Sequence, residues 1–185
     1  MKRFFLMILI IFMGCFLSGC SLVARVNAKE INDNSNFEIA LLTKADEVNF
    51  EGFQVIPGFG INRYYDSKYG IFEEPAMVSE VPHVCYDISG FPDTLGERYV
   101  TGIYCSDPSI DLFGYSVGDS VKEFKACLED RNFTRNSKRG SLFFEVYEKG
   151  RMEIRFGIDY NEQDEGFIRD FYVRVDTTNF FMVVY

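Results

Sequence analysis

The chain contains a single histidine, His83, and this limits the catalytic chemistry that it can perform. Triads and zinc sites that need two or more histidines are excluded. Cys85 lies two residues further along, and on a strand the two side chains would share a face with Cα atoms about 6.6 Å apart. This distance is too long for a direct hydrogen bond in most rotamers. We therefore predict no catalytic residue and interpret His83 as a histidine at a strand edge.

Three cysteines lie in the part of the chain assigned below to the folded domain: Cys85, Cys105 and Cys127. In one register of the predicted hairpin around residues 85–105, the numbers of facing residues sum to about 190. In that register Cys85 faces Cys105, and a disulfide could form between them. A register shifted by one residue would separate the two thiols. Cys127 is interpreted as a small hydrophobic residue buried on a helix.

One loop is rich in carboxylates and could supply oxygen ligands to a calcium ion. Its polar residues are Asp159, Asn161, Glu162, Asp164 and Glu165. The loop lacks the glycine of an EF-hand, so we interpret it as a solvated acidic turn and predict no metal and no cofactor. The 28 acidic residues also offer many pairs for glycosidic chemistry, but no pair is distinguished by its spacing.

The clearest predicted helix begins at Ser120. The segment from Ser120 to Glu123 has the pattern of a capping box, in which the hydroxyl and the carboxylate satisfy backbone donors reciprocally. Apolar residues then recur every three or four positions, which is the period of one buried helical face. Asn132 is a plausible left-handed residue at the end of this helix, and Phe133 would fold back over it.

Short apolar or alternating runs follow the helix at 142–147, 152–158 and 167–175, and they predict a three-stranded antiparallel meander. An earlier hairpin, 83–88 followed by 99–105, has a similar pattern. The predicted fold class is therefore α+β: antiparallel sheet meanders with one main helix packed on a face, with the option of two related half-domains at about 61–113 and 114–185.

The segment from Tyr115 to Ser120 precedes the helix and the meander, and the unit from Tyr115 to Val175 is similar to the small repeats of the beta-lactamase-inhibitor-like and small outer-membrane lipoprotein (SmpA/OmlA-type) families. Members of those families present a sheet face to another protein. The resemblance implies that this chain also acts as a protein-interaction module.

The N-terminus has the pattern of a secretory signal peptide. Lys2 and Arg3 precede a run of bulky apolar residues, which gives way to the small residues of Leu17-Ser18-Gly19-Cys20. This tetrapeptide resembles the lipobox of bacterial lipoproteins, and the resemblance implies that Cys20 is acylated and becomes the first residue after cleavage. Two alternatives stay open, acylation at Cys15 and cleavage after Ala28, which would release a soluble protein.

The predicted organisation is a lipoprotein signal peptide at 1–19, a flexible tether at 20–36 and a single α+β domain at 37–185. Two acyl chains, palmitate among them, give stable membrane anchoring where one chain is marginal. The predicted localisation is extracytoplasmic, on the cell membrane or the outer membrane.

The net charge of the chain is -9, and residues 20–185 alone carry 17 basic against 28 acidic groups, or about -11. A nucleic-acid backbone needs clustered Lys and Arg, so nucleic acid is not expected as a partner. We predict a lipid-anchored envelope lipoprotein that is not an enzyme and binds an envelope protein. The alternatives are an envelope hydrolase that uses carboxylates and a lipoprotein that binds calcium or another small ligand.

Overall fold

The computed structural model describes residues 22–57, 61–66, 83–90 and 96–177. Within them the protein has an α+β fold, as predicted, with a large antiparallel sheet and two α-helices. None of the helices in these ranges is long and apolar enough to cross a membrane.

The helices are α1 over residues 22–33 and α2 over Val121–Asp130, and a short 3-10 helix spans Ala45–Glu47. The strands of the first half are β1 Phe53–Pro57, β2 Asn62–Asp66, β3 Val84–Gly90 and β4 Arg98–Cys105. A small hairpin of β5 Asp111–Leu112 and β6 Tyr115–Ser116 links the halves. The strands of the second half are β7 Thr134–Arg135, β8 Phe144–Lys149, β9 Met152–Tyr160 and β10 Gly166–Val175.

Eight strands form one sheet in the order β1-β2-β3-β4-β10-β9-β8-β7. All pairings are antiparallel, and the two halves meet where β4 pairs with β10. At this central pairing Tyr104 lies directly opposite Tyr172. Both inner hairpins contain a bulge, with Thr101 as the extra residue on β4 and Arg169 on β10.

Helix α2 forms as its sequence predicts. The Ser120 hydroxyl accepts a hydrogen bond from the Glu123 backbone N–H at 3.4 Å, which satisfies one of the first free donors of the helix. Asn132 has the left-handed φ of 63°, and Phe133 is buried against the helix end. Val121, Phe124 and Leu128 are the buried residues of the helix, whereas Cys127 is half-exposed rather than buried.

Helix α1 corrects the prediction of a flexible tether over residues 20–36. Residues 22–33 are helical, and Ala24, Ala28 and Ile31 are each at most 1% exposed in the same core cluster as α2. The Asn32 side chain also exchanges two hydrogen bonds with the backbone of Leu41. Asn27, one of the polar residues of this segment, is buried and donates to the Lys149 carbonyl at 3.0 Å, whereas Asp33 lies exposed at the end of the helix.

The hydrophobic core lies between the two helices and one face of the sheet. Its residues come from α1, from α2 and from the inward-facing positions of β3, β4, β9 and β10. The ring of Phe124 packs against Phe156 and Phe171 at centroid distances of 5.1 and 5.4 Å. Such edge-to-face contacts fix the helix over the centre of the sheet.

Candidate functional site

The sheet face turned away from both helices is called here the open face. Along β10, Phe171, Val173 and Val175 belong to the core, so the alternating residues Tyr172 and Arg174 lie on the open face. Neither α1 nor α2 packs on this side. Its charged groups include five arginines: Arg63, Arg139, Arg155, Arg169 and Arg174.

A network of three side chains occupies the open face above β2, β3 and β10. The guanidinium of Arg63 donates to both carboxylate oxygens of Asp87 at 2.6 and 2.7 Å, and the Tyr172 hydroxyl donates to Oδ2 of Asp87 at 2.7 Å. Asp87 is buried, so its charge is stabilised by these partners rather than by water. The hydrogen bonds that Arg63 donates to Asp87 raise the pKa of Arg63, and burial raises the pKa of Tyr172.

Glycines make room for two carboxylates on this face. Gly102 pairs with Asp87, and a Cβ at Gly102 would lie 3.1 Å from the Tyr172 hydroxyl and 3.2 Å from Oδ2 of Asp87. Gly157 pairs with Asp170, whose carboxylate accepts from the Gly157 N–H at 3.2 Å and from Nε of Arg169 at 2.8 Å. A Cβ at Gly157 would lie 2.6 Å from Oδ2 of Asp170, so a larger residue there would displace this carboxylate.

A third carboxylate, that of Glu153, lies between two arginines. Its side chain is 7% exposed, and it accepts hydrogen bonds from Arg139 and, at 3.0 Å, from Arg174. The acidic residues of the open face are thus held in ion pairs. A carboxylate whose oxygens accept from arginine is occupied by that partner.

A small pocket of about 70 Å³ opens beside the Arg63 network. Arg63 and Arg155 supply its charged walls, and Tyr104 and Tyr172 supply phenolic groups from the two central strands. The remaining described lining residues are Tyr65, His83 and Cys85. Every one of these side chains carries a hydrogen-bond donor in its protonated form.

His83 and Cys85 both line this pocket, but they do not form a catalytic pair. His83 is 1% exposed, not at a strand edge as predicted, and its ring lies near the rings of Tyr65 and Tyr104, with Nδ1 3.2 Å from Oγ of Ser106. Burial raises the pKa of the Cys85 thiol to about 12, so the thiol is protonated at neutral pH. A protonated thiol is a poor nucleophile.

Arg155 differs from the other arginines of the open face. Its guanidinium lies 4.6 Å from the centroid of the Phe144 ring, and it contacts no carboxylate within the described residues. A cation over an aromatic ring keeps its full charge and its outward-facing donors. Arg155 can therefore still bind an anion.

Large apolar side chains are exposed where β8 begins and β9 ends. Leu142 is 79% exposed, Phe143 is 67% exposed and Tyr160 is 55% exposed. The Tyr160 hydroxyl donates to the Leu142 carbonyl at 3.4 Å, so these residues are neighbours. Exposed apolar groups that cluster in this way are typical of protein–protein contact sites.

The disulfide that the sequence allowed between Cys85 and Cys105 does not form in this structure, and none of the three described cysteines is disulfide-bonded. The hairpin pairs Cys85 with Tyr104 and Cys105 with Val84, one residue away from the predicted register. Because a shift of one residue reverses the faces, Cys105 lies in the core and Cys85 lies on the open face.

The acidic loop between β9 and β10 is closed by its own hydrogen bonds. The Asn161 side chain accepts from the backbone N–H groups of Gln163 and Glu165 and donates to the Glu165 carboxylate. No group of three His, Cys, Asp or Glu side chains that could hold a metal ion occurs within the described part of the chain.

The proposed lipidation residue, Cys20, and the rest of the signal at 1–19 lie outside the described residues. No motif in the sequence predicted the Arg63 network or the pocket. Their one local signal was the alternation of arginine or aspartate with apolar residues in strands, which shows that a strand has a polar face but not which residues meet across strands.

Comparisons with protein-family models, with curated proteins and with solved structures give no match to this chain.

Proposed function

We propose that the protein is a lipoprotein of the cell envelope, anchored through acylated Cys20, that binds a partner protein with the open face of its sheet. The observation that carries this proposal is a sheet face on which neither described helix packs, populated by arginine and tyrosine, the residue types enriched where proteins bind one another. Four of the five arginines of this face pair with carboxylates, whereas Arg155 contacts none within the described residues. The partner that fits Arg155 is a protein that presents an acidic group.

The chemistry of the open face supports binding rather than catalysis. Asp87, Glu153 and Asp170 all accept hydrogen bonds from arginines, and the Cys85 thiol is protonated. These groups can hold a partner in place, but a hydrolase that uses carboxylates needs one that is free to exchange a proton. We therefore propose a protein that is not an enzyme.

We also propose that the fold consists of two related halves, each a helix followed by a four-stranded meander. The first half would span 22–105 and the second 121–175. The first half thus begins at α1 and not at residue 61, where the sequence pattern had placed its start. Two pairs of equivalent residues support this duplication. Thr101 and Arg169 are the bulge residues of the two halves, and Tyr104 and Tyr172 face each other at the central strand pair. The number of residues from Thr101 to Arg169 equals the number from Tyr104 to Tyr172. A duplicated unit of this kind provides a continuous sheet face that is twice as wide as one copy.

The binding face can be tested by photo-crosslinking in intact cells. A photoreactive phenylalanine analogue would replace Phe143 or Phe144 beside the open face, and matched chains would carry it at Val26 or Lys122 on exposed sides of the helices. We expect a discrete adduct from the first pair and none from the second. Adducts from the helix positions alone, or none where a known envelope complex is captured, would contradict the proposal.

The anchor is tested separately with the Cys20→Ala chain. We expect this chain to lose its acyl chains and to leave the membrane fraction, because the remaining sequence supplies no second acylation site in the lipobox position. Metabolic labelling with a palmitate analogue, followed by membrane fractionation, measures both effects. The Cys15→Ala chain is the control, and it should be labelled and sedimented like the unchanged protein.

A further inference from the structure

The pocket beside the Arg63 network has the composition of an anion site. Among the described residues its lining contains two arginines and no acidic side chain. Asp87 neutralises Arg63 through two hydrogen bonds, whereas Arg155 lies over the Phe144 ring and contacts no carboxylate in the part of the chain that the structure describes. The pocket therefore has an excess of one positive charge.

The neutral groups of the pocket add hydrogen-bond donors. Burial raises the pKa of Tyr104 and Tyr65, and it also raises the pKa of Cys85, so all three keep their protons at neutral pH. Protonated phenols and a guanidinium can together surround the oxygens of an anion. A molecule with donors of its own would find few acceptors here.

We propose that this pocket binds a carboxylate group, and that the carboxylate is an aspartate or glutamate side chain of the partner protein. The inference rests on the proposed function, because it names the chemistry that the partner presents to the open face. The planar guanidinium of Arg155 is suited to a carboxylate, which it can bind through two parallel hydrogen bonds.

Size and charge favour a carboxylate over a larger anion. The pocket volume of about 70 Å³ holds roughly five water-sized positions, enough for one carboxylate group but little more. Only Arg155 contributes uncompensated charge, and the chain carries a net charge of -9. A single negative charge is balanced in this pocket, whereas a doubly charged phosphate would leave one charge unpaired near Asp87.

The test is a titration of the full-length lipoprotein in non-ionic detergent micelles, followed by NMR at the Arg155 side chain. The probes are N-acetylglutamate amide, its neutral glutamine counterpart and inorganic phosphate. We expect the glutamate probe to shift the Arg155 Nε–H signal in a saturable manner and the glutamine probe to leave it unchanged.

Three variants identify the group responsible, with binding followed at the Tyr104 and Tyr172 signals. Arg155→Gln should weaken binding of the glutamate probe at least about tenfold, because one charge-assisted hydrogen-bonded pair is lost. Arg155→Lys keeps the charge, and its affinity for the glutamate probe should lie between those of the unchanged protein and Arg155→Gln. Arg25→Gln removes the same charge from the exposed side of α1 and should leave binding within about twofold of the unchanged protein.

The carboxylate site is overturned if the glutamine probe binds as well as the glutamate probe, if Arg155→Gln binds normally, or if phosphate binds more tightly. If such a result is obtained but the photo-crosslinking analogue at Phe143 or Phe144 still forms an adduct, the proposed function is retained and only the carboxylate site is rejected. Carboxylate binding without any open-face adduct would support the pocket and overturn the proposed function instead. The two failures are therefore distinguishable.

Discussion

At the level of single residues, Asp87 is the centre of the open face. It accepts three hydrogen bonds, two from Arg63 and one from Tyr172. Gly102 has no side chain and so leaves space for the carboxylate of Asp87. A buried carboxylate depends on these partners, because loss of Arg63 would remove the counter-charge of Asp87 and leave it with the Tyr172 hydroxyl alone in this network.

The Asp87→Asn variant is expected to lower the free energy of unfolding by about 3 kcal/mol, because it leaves the half-buried guanidinium of Arg63 without a counter-charge. Urea denaturation followed by circular dichroism measures this loss. The matched control is Asp33→Asn, which breaks an ion pair whose side chains are 74% and 55% exposed. It should cost less than about 1 kcal/mol, and an equal loss in both variants would contradict the structure.

The thiol of Cys85 is expected to resist alkylation. With a pKa near 12, its thiolate fraction at pH 8 is about a thousandfold lower than that of a cysteine with the ordinary value of 9. Iodoacetamide treatment of the native protein, followed by peptide mass mapping, should modify the half-exposed Cys127 and spare Cys85 and Cys105. A disulfide-linked peptide of Cys85 and Cys105 would contradict the observed register.

The same shift makes stability depend on alkaline pH. The pKa of Cys85 is higher in the folded chain than in the unfolded chain, so its contribution is complete below about pH 9 and is lost as the pH rises toward 12. The difference in the free energy of unfolding between the unchanged protein and Cys85→Ala should therefore decrease as the pH rises from about 9 toward 12. A constant difference would show that the thiol ionises equally in both states.

At the level of elements, α1 changes the account of the N-terminal region most. The buried apolar residues of α1 are only three, and they are small or of medium size: Ala24, Ala28 and Ile31. The helical period of apolar residues is therefore weak in this segment, which also contains several asparagines. α2 has a capping serine, a terminal asparagine and a strong apolar face, all of them local signals. This difference explains why α2 was predicted and α1 was not.

Ile31→Ala tests whether α1 is part of the domain. Ile31 is 0% exposed, and its truncation should lower the free energy of unfolding by about 3 kcal/mol, through lost burial and the cavity left behind. Val26→Ala on the exposed side of the same helix, where Val26 is 60% exposed, should stay within about 0.5 kcal/mol. If residues 22–33 were a tether, Ile31→Ala and Val26→Ala would have the same small effect.

At the level of the whole molecule, the two halves share one sheet and one core. The pairing of β4 with β10 joins them, and residues of both halves belong to the same cluster, Ile103 with Phe171 among them. Neither half can therefore lose its structure without exposing apolar surface of the other.

Unfolding is accordingly expected to be a single cooperative transition. Far-ultraviolet circular dichroism follows the backbone, and near-ultraviolet tyrosine signals follow the side chains, since the chain contains no tryptophan. The two signals should have coincident midpoints. Two separated transitions would mean that the halves are independent domains and that the central strand pair adds little stability.

The fold class, the predicted helix α2 and strands β8, β9 and β10 could be deduced from the sequence because their signals are local: a capping serine, a helical apolar period and alternating strands. The register of the first hairpin, the docking of α1 and the meeting of Arg63 with Asp87 and Tyr172 were decided only in three dimensions. These features join residues that are distant along the chain, and a bulge or a shift of one residue reverses which face a side chain occupies.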